Sequence, residues 1–177
     1  MRAQRLSPRR CREEGRSNGQ AMVEFALVAP ILFLLILATI EAGRFILHYE
    51  LVNNATREGA RFAIVHGSRS ACPSGPPPPG EVNDCDLPGD NIRAAVRDVA
   101  LDLAGSGGLV VHDPVWTSRG RLSNPQPGDA STGHNGRGEY VSVFVDYTYD
   151  PILEDVFGVS ILPDITVSAE STLVINN

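Results

Sequence analysis

Two residues set the chemistry this chain can attempt. Gly19 and Glu24 lie five positions apart at the head of an apolar run, and Glu24 is the sole charge between Ala21 and Ile40. A carboxylate just inside such a run is costly to bury and marks a functional candidate. The bland account is a side chain that snorkels to a membrane edge.

The other polar residues offer less. His48, His66, His112 and His134 are scattered, with no pair at a metal-binding spacing. No Gly-x-Ser-x-Gly, P-loop or dinucleotide fingerprint is present. Asp129, Ser131, Asn135 and Glu139 could ligate calcium, but their spacing departs from the twelve-residue loop pattern. Asp84, Asp86 and Asp90 form an acidic cluster that reads most simply as a solvated face. No metal, no cofactor and no enzymatic activity are expected.

Cys72 and Cys85 bracket a Pro- and Gly-rich stretch. On an exported side they would close a short loop as a disulfide. Free thiols or a metal pair are the alternatives, and two Cys with no nearby His make a poor zinc site. Cys11 lies on the reducing side and is not expected to join a structural bridge.

The elements that must position these residues follow from hydropathy. Ala21 to Ile40 is twenty residues, about 30 Å of helix, which matches one hydrocarbon core. Its centre is apolar all round, which favours a lipid span over a surface helix. A buried core helix and a cleaved secretory signal are the rivals. The second would have a shorter apolar region with an Ala-x-Ala type site, and here Glu41-Ala42-Gly43-Arg44 follows instead. Six Arg precede the span against Glu13 and Glu14, so the N-terminus is expected in the cytoplasm and the C-terminal bulk outside. A basic arm can bind nucleic acid, but this one abuts a membrane segment and lacks interleaved aromatics. The sequence holds 15 basic residues, all Arg, and 21 acids. Removing residues 1–19 takes away six Arg and two Glu, which leaves nine Arg against nineteen acids. A head this acidic argues against nucleic acid and against anionic lipid.

Beyond the span the helix is expected to continue to His66, about 70 Å from Gln20. Phe45, Tyr49, Val52, Ala55, Gly59, Phe62 and His66 make one apolar stripe. Off it, Asn53, Arg57 and Arg61 share a face, and Glu58 lies one turn from Asn54 and can pair with Arg61. That face is either solvated or an inter-subunit contact, and Gly59 and Ala60 are small enough to admit a second backbone.

At this point the sequence resembles the TadE-like pseudopilins of the tight-adherence type IV pilus. The residues that carry the likeness are the basic leader, Gly19, Glu24-Phe25, the apolar helix with Pro30, and Asn54-Ala55-Thr56-Arg57-Glu58-Gly59-Ala60-Arg61. The resemblance implies a prepilin peptidase that cuts after Gly19 and methylates the new amine of Gln20. It implies that Glu24 neutralises the N-terminal amine of a neighbouring subunit. In lipid each charge alone is expensive, and pairing removes much of that cost. The implied partners are other pilins and pseudopilins and an inner-membrane pilus platform.

The expected fold is α+β, in five segments. Residues 1–19 are a disordered basic cytoplasmic leader, 20–44 a transmembrane helix, and 45–67 its amphipathic extension. Residues 68–90 are a Pro-rich loop with the Cys72–Cys85 disulfide, and 91–177 an exported head. In the head, Asn91–Gly105 reads as a helix with Asp90 as N-cap and Ile92, Val96, Val99 and Leu103 on its apolar face. Leu109–Trp116 reads as an edge or bulged strand because of Pro114. Glu139–Tyr149 and Ile165–Ile175 alternate as strands, joined by an apolar connection from Pro151 to Pro163, and the strands form a small antiparallel sheet. The order of a Tyr-ended strand, a Pro-Ile-Leu connection, a Leu-Pro turn and a Thr/Ser-rich strand also resembles TadE-like proteins. The alternative function is an uncleaved, signal-anchored exported binding or sensory domain.

Overall fold

The computed structural model describes residues 17–100, 103, 108–119, 124–152 and 165–176. The expected leader up to residue 16 therefore lies outside the described residues, as does most of the 151–163 connection and the Gly-rich end of the second helix. The chain forms two compact units, Met1–Ile40 and Glu41–Asn177.

Helix α1 spans Ser17–Val65, so it begins three residues before Gln20 and takes in Gly19. Pro30 sits inside it, where the ring removes one backbone hydrogen bond without ending the helix. In the first unit the side chains are open: Met22, Phe25 and Leu27 are each more than two-thirds exposed. None of the residues of the apolar window is buried within the protein, and the helix is long and apolar enough to cross a membrane.

The second unit has a core built from three sources. One is the buried side of α1, with Val52, Ala55, Ala60 and Ala63. Another is helix α2, Asp90–Val99, which contributes Ile92 and Val96. The third is an antiparallel sheet of β1 (Leu109–Val111), β2 (Val115–Thr117), β3 (Tyr140–Tyr149) and β4 (Ile165–Val174). In β3, Val141, Val143, Val145, Tyr147 and Tyr149 are buried, as the alternation predicts. Their cross-strand neighbours Val167 and Ala169 complete that face. β1 and β2 lie along one edge of β3, and β4 along the other. Val111 pairs with Val145 and Val115 with Ser142, so residues 112–114 face only Val143 and Phe144. The extra residue is a bulge at the expected Pro114 break.

Four expectations need correction. Tyr49 is 47% exposed, and His48, one residue earlier, takes its place on the inner side. The inward positions run Glu41, Phe45, His48, Val52, Ala55, and a residue displaced by one turns about 100° away on a helix. Val99 is 41% exposed although Ile92, Val96 and Leu103 are fully buried. Asp90 is the first residue of α2, not its cap. The N-cap is Gly89 at φ 79, and the side chain that satisfies the helix start is Asp86, whose two oxygens accept from Asp90 N at 2.7 Å and Asn91 N at 3.0 Å. Asp86 is 4% exposed and so is not part of a solvated acidic face.

The 68–90 loop has a definite course. Cys72 and Cys85 form a disulfide. Asn83 donates to Pro73 O at 3.0 Å and Gly75 O at 2.7 Å and accepts from Cys85 N at 3.0 Å. The Trp116 ring lies on Gly75, at φ +95, where an added Cβ would stand 2.2 Å from the ring. That contact and that backbone conformation both require glycine.

Candidate functional site

Each expected site residue can now be placed. Gly19, Gln20, Glu24 and Phe25 lie on the exposed surface of α1 in the first unit. Glu24 has no hydrogen bond and no ion pair among the described residues. The bond after Gly19 falls within the first turn of α1. Glycine costs a helix about 1 kcal/mol relative to alanine, so this turn opens more readily than its neighbours.

In the second unit Asn54, Arg57, Glu58 and Arg61 are all exposed and, with Val99 of α2, line a shallow groove of about 330 Å³. Arg61 and Glu58 approach to 3.5 Å across one helical turn. Gly59 departs from this group. It is buried, and a Cβ there would come within 2.3 Å of Val96 Cγ2 and 3.4 Å of Val143 Cγ1. Its missing side chain admits α2 and the sheet of its own head, and buried Ala60 likewise belongs to the inner side of the helix.

A cluster that the sequence did not single out lies nearer the start of the second unit. Glu41 is only 8% exposed. Its Oε1 accepts from the Tyr149 hydroxyl at 2.6 Å and from Ile152 N at 3.3 Å, and its Oε2 lies 3.7 Å from Arg44 Nη1. The Arg44 guanidinium stands 5.8 Å from the Tyr149 ring centre, and Phe45 meets that ring edge-on. His48 packs edge-on to Tyr147 and Tyr149. Burial, then the hydrogen bond to Glu41, pushes the Tyr149 hydroxyl up to about 12. Burial, aided by Arg44, lowers His48 and keeps its ring neutral at ordinary pH. The signal available in the sequence was spacing: residues 41, 44, 45 and 48 share one side of a helix.

On the other face of the sheet His112 Nε2 meets Asp146 Oδ2 at 2.7 Å. Burial would raise the Asp146 carboxyl, but hydrogen bonds from Ser168 and His112 outweigh it and hold the group below its ordinary value. The order is Ser–Asp–His, with the carboxylate in the middle. The serine therefore donates to an anion and not to the imidazole, and no activated nucleophile results. Ser142 and Thr172 hydroxyls meet at 2.6 Å, and Thr172 donates to Glu170.

The four residues considered for calcium are engaged separately. Asp129 accepts from Gln126 N, Ser131 from Trp116 N, and Glu139 from Arg119 N. The Asn135 amide donates to Ser74 O and Gly75 O. Among the described residues no three His, Cys, Asp or Glu side chains come together as a metal site.

Residues 19–61 match the family model described as TadE-like protein. The matched segment contains Gly19, Glu24, Phe25, Pro30 and the Asn54–Arg61 box, the residues on which most of the resemblance rested. The match suggests a membrane-anchored pilin associated with the tight-adherence pilus and with its components. No match emerges among curated proteins or among solved structures.

Proposed function

We propose that this chain is a non-enzymatic minor pilin, or pseudopilin, of a tight-adherence pilus, inserted in the inner membrane with its head exported. The observation that carries the reading is the lone Glu24 on the open surface of α1, inside the segment that matches the TadE-like family. A carboxylate with no partner among the described residues, set in a run that fits a bilayer, calls for a positive charge. Cleavage after Gly19 creates one: the α-amine of Gln20, four positions before Glu24 in the sequence, on a neighbouring subunit. The exposed side chains of Asn54, Arg57, Glu58 and Arg61 then form a second contact surface along the same helix, and prepilin peptidase is the processing partner.

Mass spectrometry of the membrane-extracted protein tests this directly. The expected result is a chain that starts at Gln20. An intact N-terminus in a host with an active prepilin peptidase favours the alternative, a signal-anchored exported binding or sensory domain that is never processed.

A further inference from the structure

One end of the head carries opposite charges side by side that do not pair. Arg119 and Arg137 line, with Tyr140, Val174 and Asn176, an open cleft of about 410 Å³. Neither guanidinium forms an ion pair with a carboxylate among the described residues, whereas Arg44, Arg61 and Arg93 each have one. Arg119 Nη1 lies over the Gly138 turn, 3.8 Å from where a Cβ would stand. Next to the cleft is an acidic knob. Gly136, the neighbour of Arg137, is packed so closely on Pro78 that a Cβ there would stand 3.2 Å from Pro78 Cγ. Pro78 O in turn accepts from Glu81 N at 3.0 Å. Glu81, Val82 and Asp84 are all exposed, Val82 at 79%, and neither carboxylate reaches an arginine among the described residues. The disulfide and the Asn83 hydrogen bonds hold this knob in one shape before anything binds it.

We propose that this end of the head pairs with the same end of a second copy of the chain, each Glu81–Asp84 knob seated in the Arg119–Arg137 cleft of the other. A surface that presents both signs next to each other is self-complementary under a two-fold rotation, the commonest symmetry of protein pairs. The contact joins two carboxylates to two guanidinia in each direction and covers Val82 with Val174, which is 38% exposed in the single chain. The long-range repulsion between two acidic heads opposes the encounter. The close pairing of fixed charges acts at shorter range and sets the register. The pairing concerns the head alone and stands apart from the fate of Gly19 and Glu24.

Charge swaps in the full chain, held in detergent micelles and followed by sedimentation velocity, test it. One variant carries Arg119→Glu and Arg137→Glu, the other Glu81→Arg and Asp84→Arg. Each alone is expected to lose self-association by roughly tenfold or more, and an equal mixture is expected to recover it as a heterodimer, because both knob–cleft pairs are then complementary again. Swap variants that associate like the wild type would show that the transmembrane helix or another surface drives pairing, and would overturn the proposal. So would a mixture that fails to recover. Retention of the Cys72–Cys85 disulfide checks that the variants are folded. If either is not, Val82→Ser decides, since that side chain touches little in its own chain: an association constant lowered about fivefold supports the contact, and an unchanged one overturns it.

Discussion

Of the four glutamates in helix α1, two sit in opposite circumstances. Glu24, in the first unit, is exposed and has no partner among the described residues. Glu41, in the second, is buried and fully engaged by Tyr149, Ile152 N and Arg44. Both interrupt or border the same apolar run, and their composition-level description is the same. The difference is that one carboxylate finds its donors within the fold and the other must find them outside it. A polar residue whose demands are met internally serves the fold, and one whose demands are unmet points to a partner.

The widest separation between the two should come from replacing each with alanine. Glu24→Ala is expected to leave cleavage and the stability of the head nearly unchanged, within about 0.5 kcal/mol, yet to abolish pilus assembly. Electron microscopy that shows normal piliation would break the distinction. Glu41→Ala is expected to act the other way, on the fold first. It leaves the Tyr149 hydroxyl only its longer hydrogen bond to the Glu41 backbone carbonyl, strands the Ile152 N–H and a half-buried Arg44, and should lower stability by about 3 kcal/mol. Glu41→Gln keeps an acceptor at Oε1 and should cost about 1 kcal/mol. Trp116, the sole tryptophan of the chain and 3% exposed, reports the unfolding by its fluorescence. Equal loss in both variants would mean that the carboxylate oxygen does not hold Tyr149.

What could be read from the sequence divides along the same line. The long helix, the alternating strands, the bulge at Pro114 and the Cys72–Cys85 bridge were legible because each is encoded in nearby residues: a period, a ring without an N–H, two thiols flanking a loop. Glu41 was not, because its partner Tyr149 lies 108 positions away and Tyr149 also fits an apolar alternation. The cap of α2 went to the wrong aspartate for a related reason. Asp90 stands at the expected distance from Ile92, but the tight turn at Gly89 lets Asp86 reach both leading N–H groups. Gly59 read equally well as a contact for a foreign backbone or for the chain's own head, since small size does not say what approaches. Glu24 was legible as an anomaly only, since no side chain among the described residues answers its charge.

The Asn54–Arg61 turn repeats the comparison within a few residues. Gly59→Ala is expected to cost about 2 kcal/mol in head stability, because the new methyl group collides with Val96 Cγ2 in a packed core. Arg57→Ala, exposed and beside the groove, should change stability by less than about 0.5 kcal/mol while weakening assembly. If Arg57→Ala unfolds the head, or Gly59→Ala is neutral, the division of this helix into an inner and an outer side is wrong.

The smallest effect, and the most local, is alkaline. The Tyr149 hydroxyl is pushed from its ordinary value of 10.0 up to about 12, so the folded state favours the protonated form. The stability that this bias represents is fully present below about pH 10, where the hydroxyl is protonated in both folded and unfolded chains. It is lost as pH rises from there through about 12, as the unfolded chain gains by ionising first. A tyrosinate anion also faces the Glu41 carboxylate across what was a 2.6 Å hydrogen bond, so the contact between helix α1 and strand β3 weakens here as the proton leaves. Absorbance at 295 nm should therefore show one late-ionising tyrosine that is coupled to loss of Trp116 burial. Tyr149→Phe should remove that phase, and Glu24→Ala should leave it untouched. A late phase that persists in Tyr149→Phe would assign it to another tyrosine and detach Glu41 from the alkaline transition.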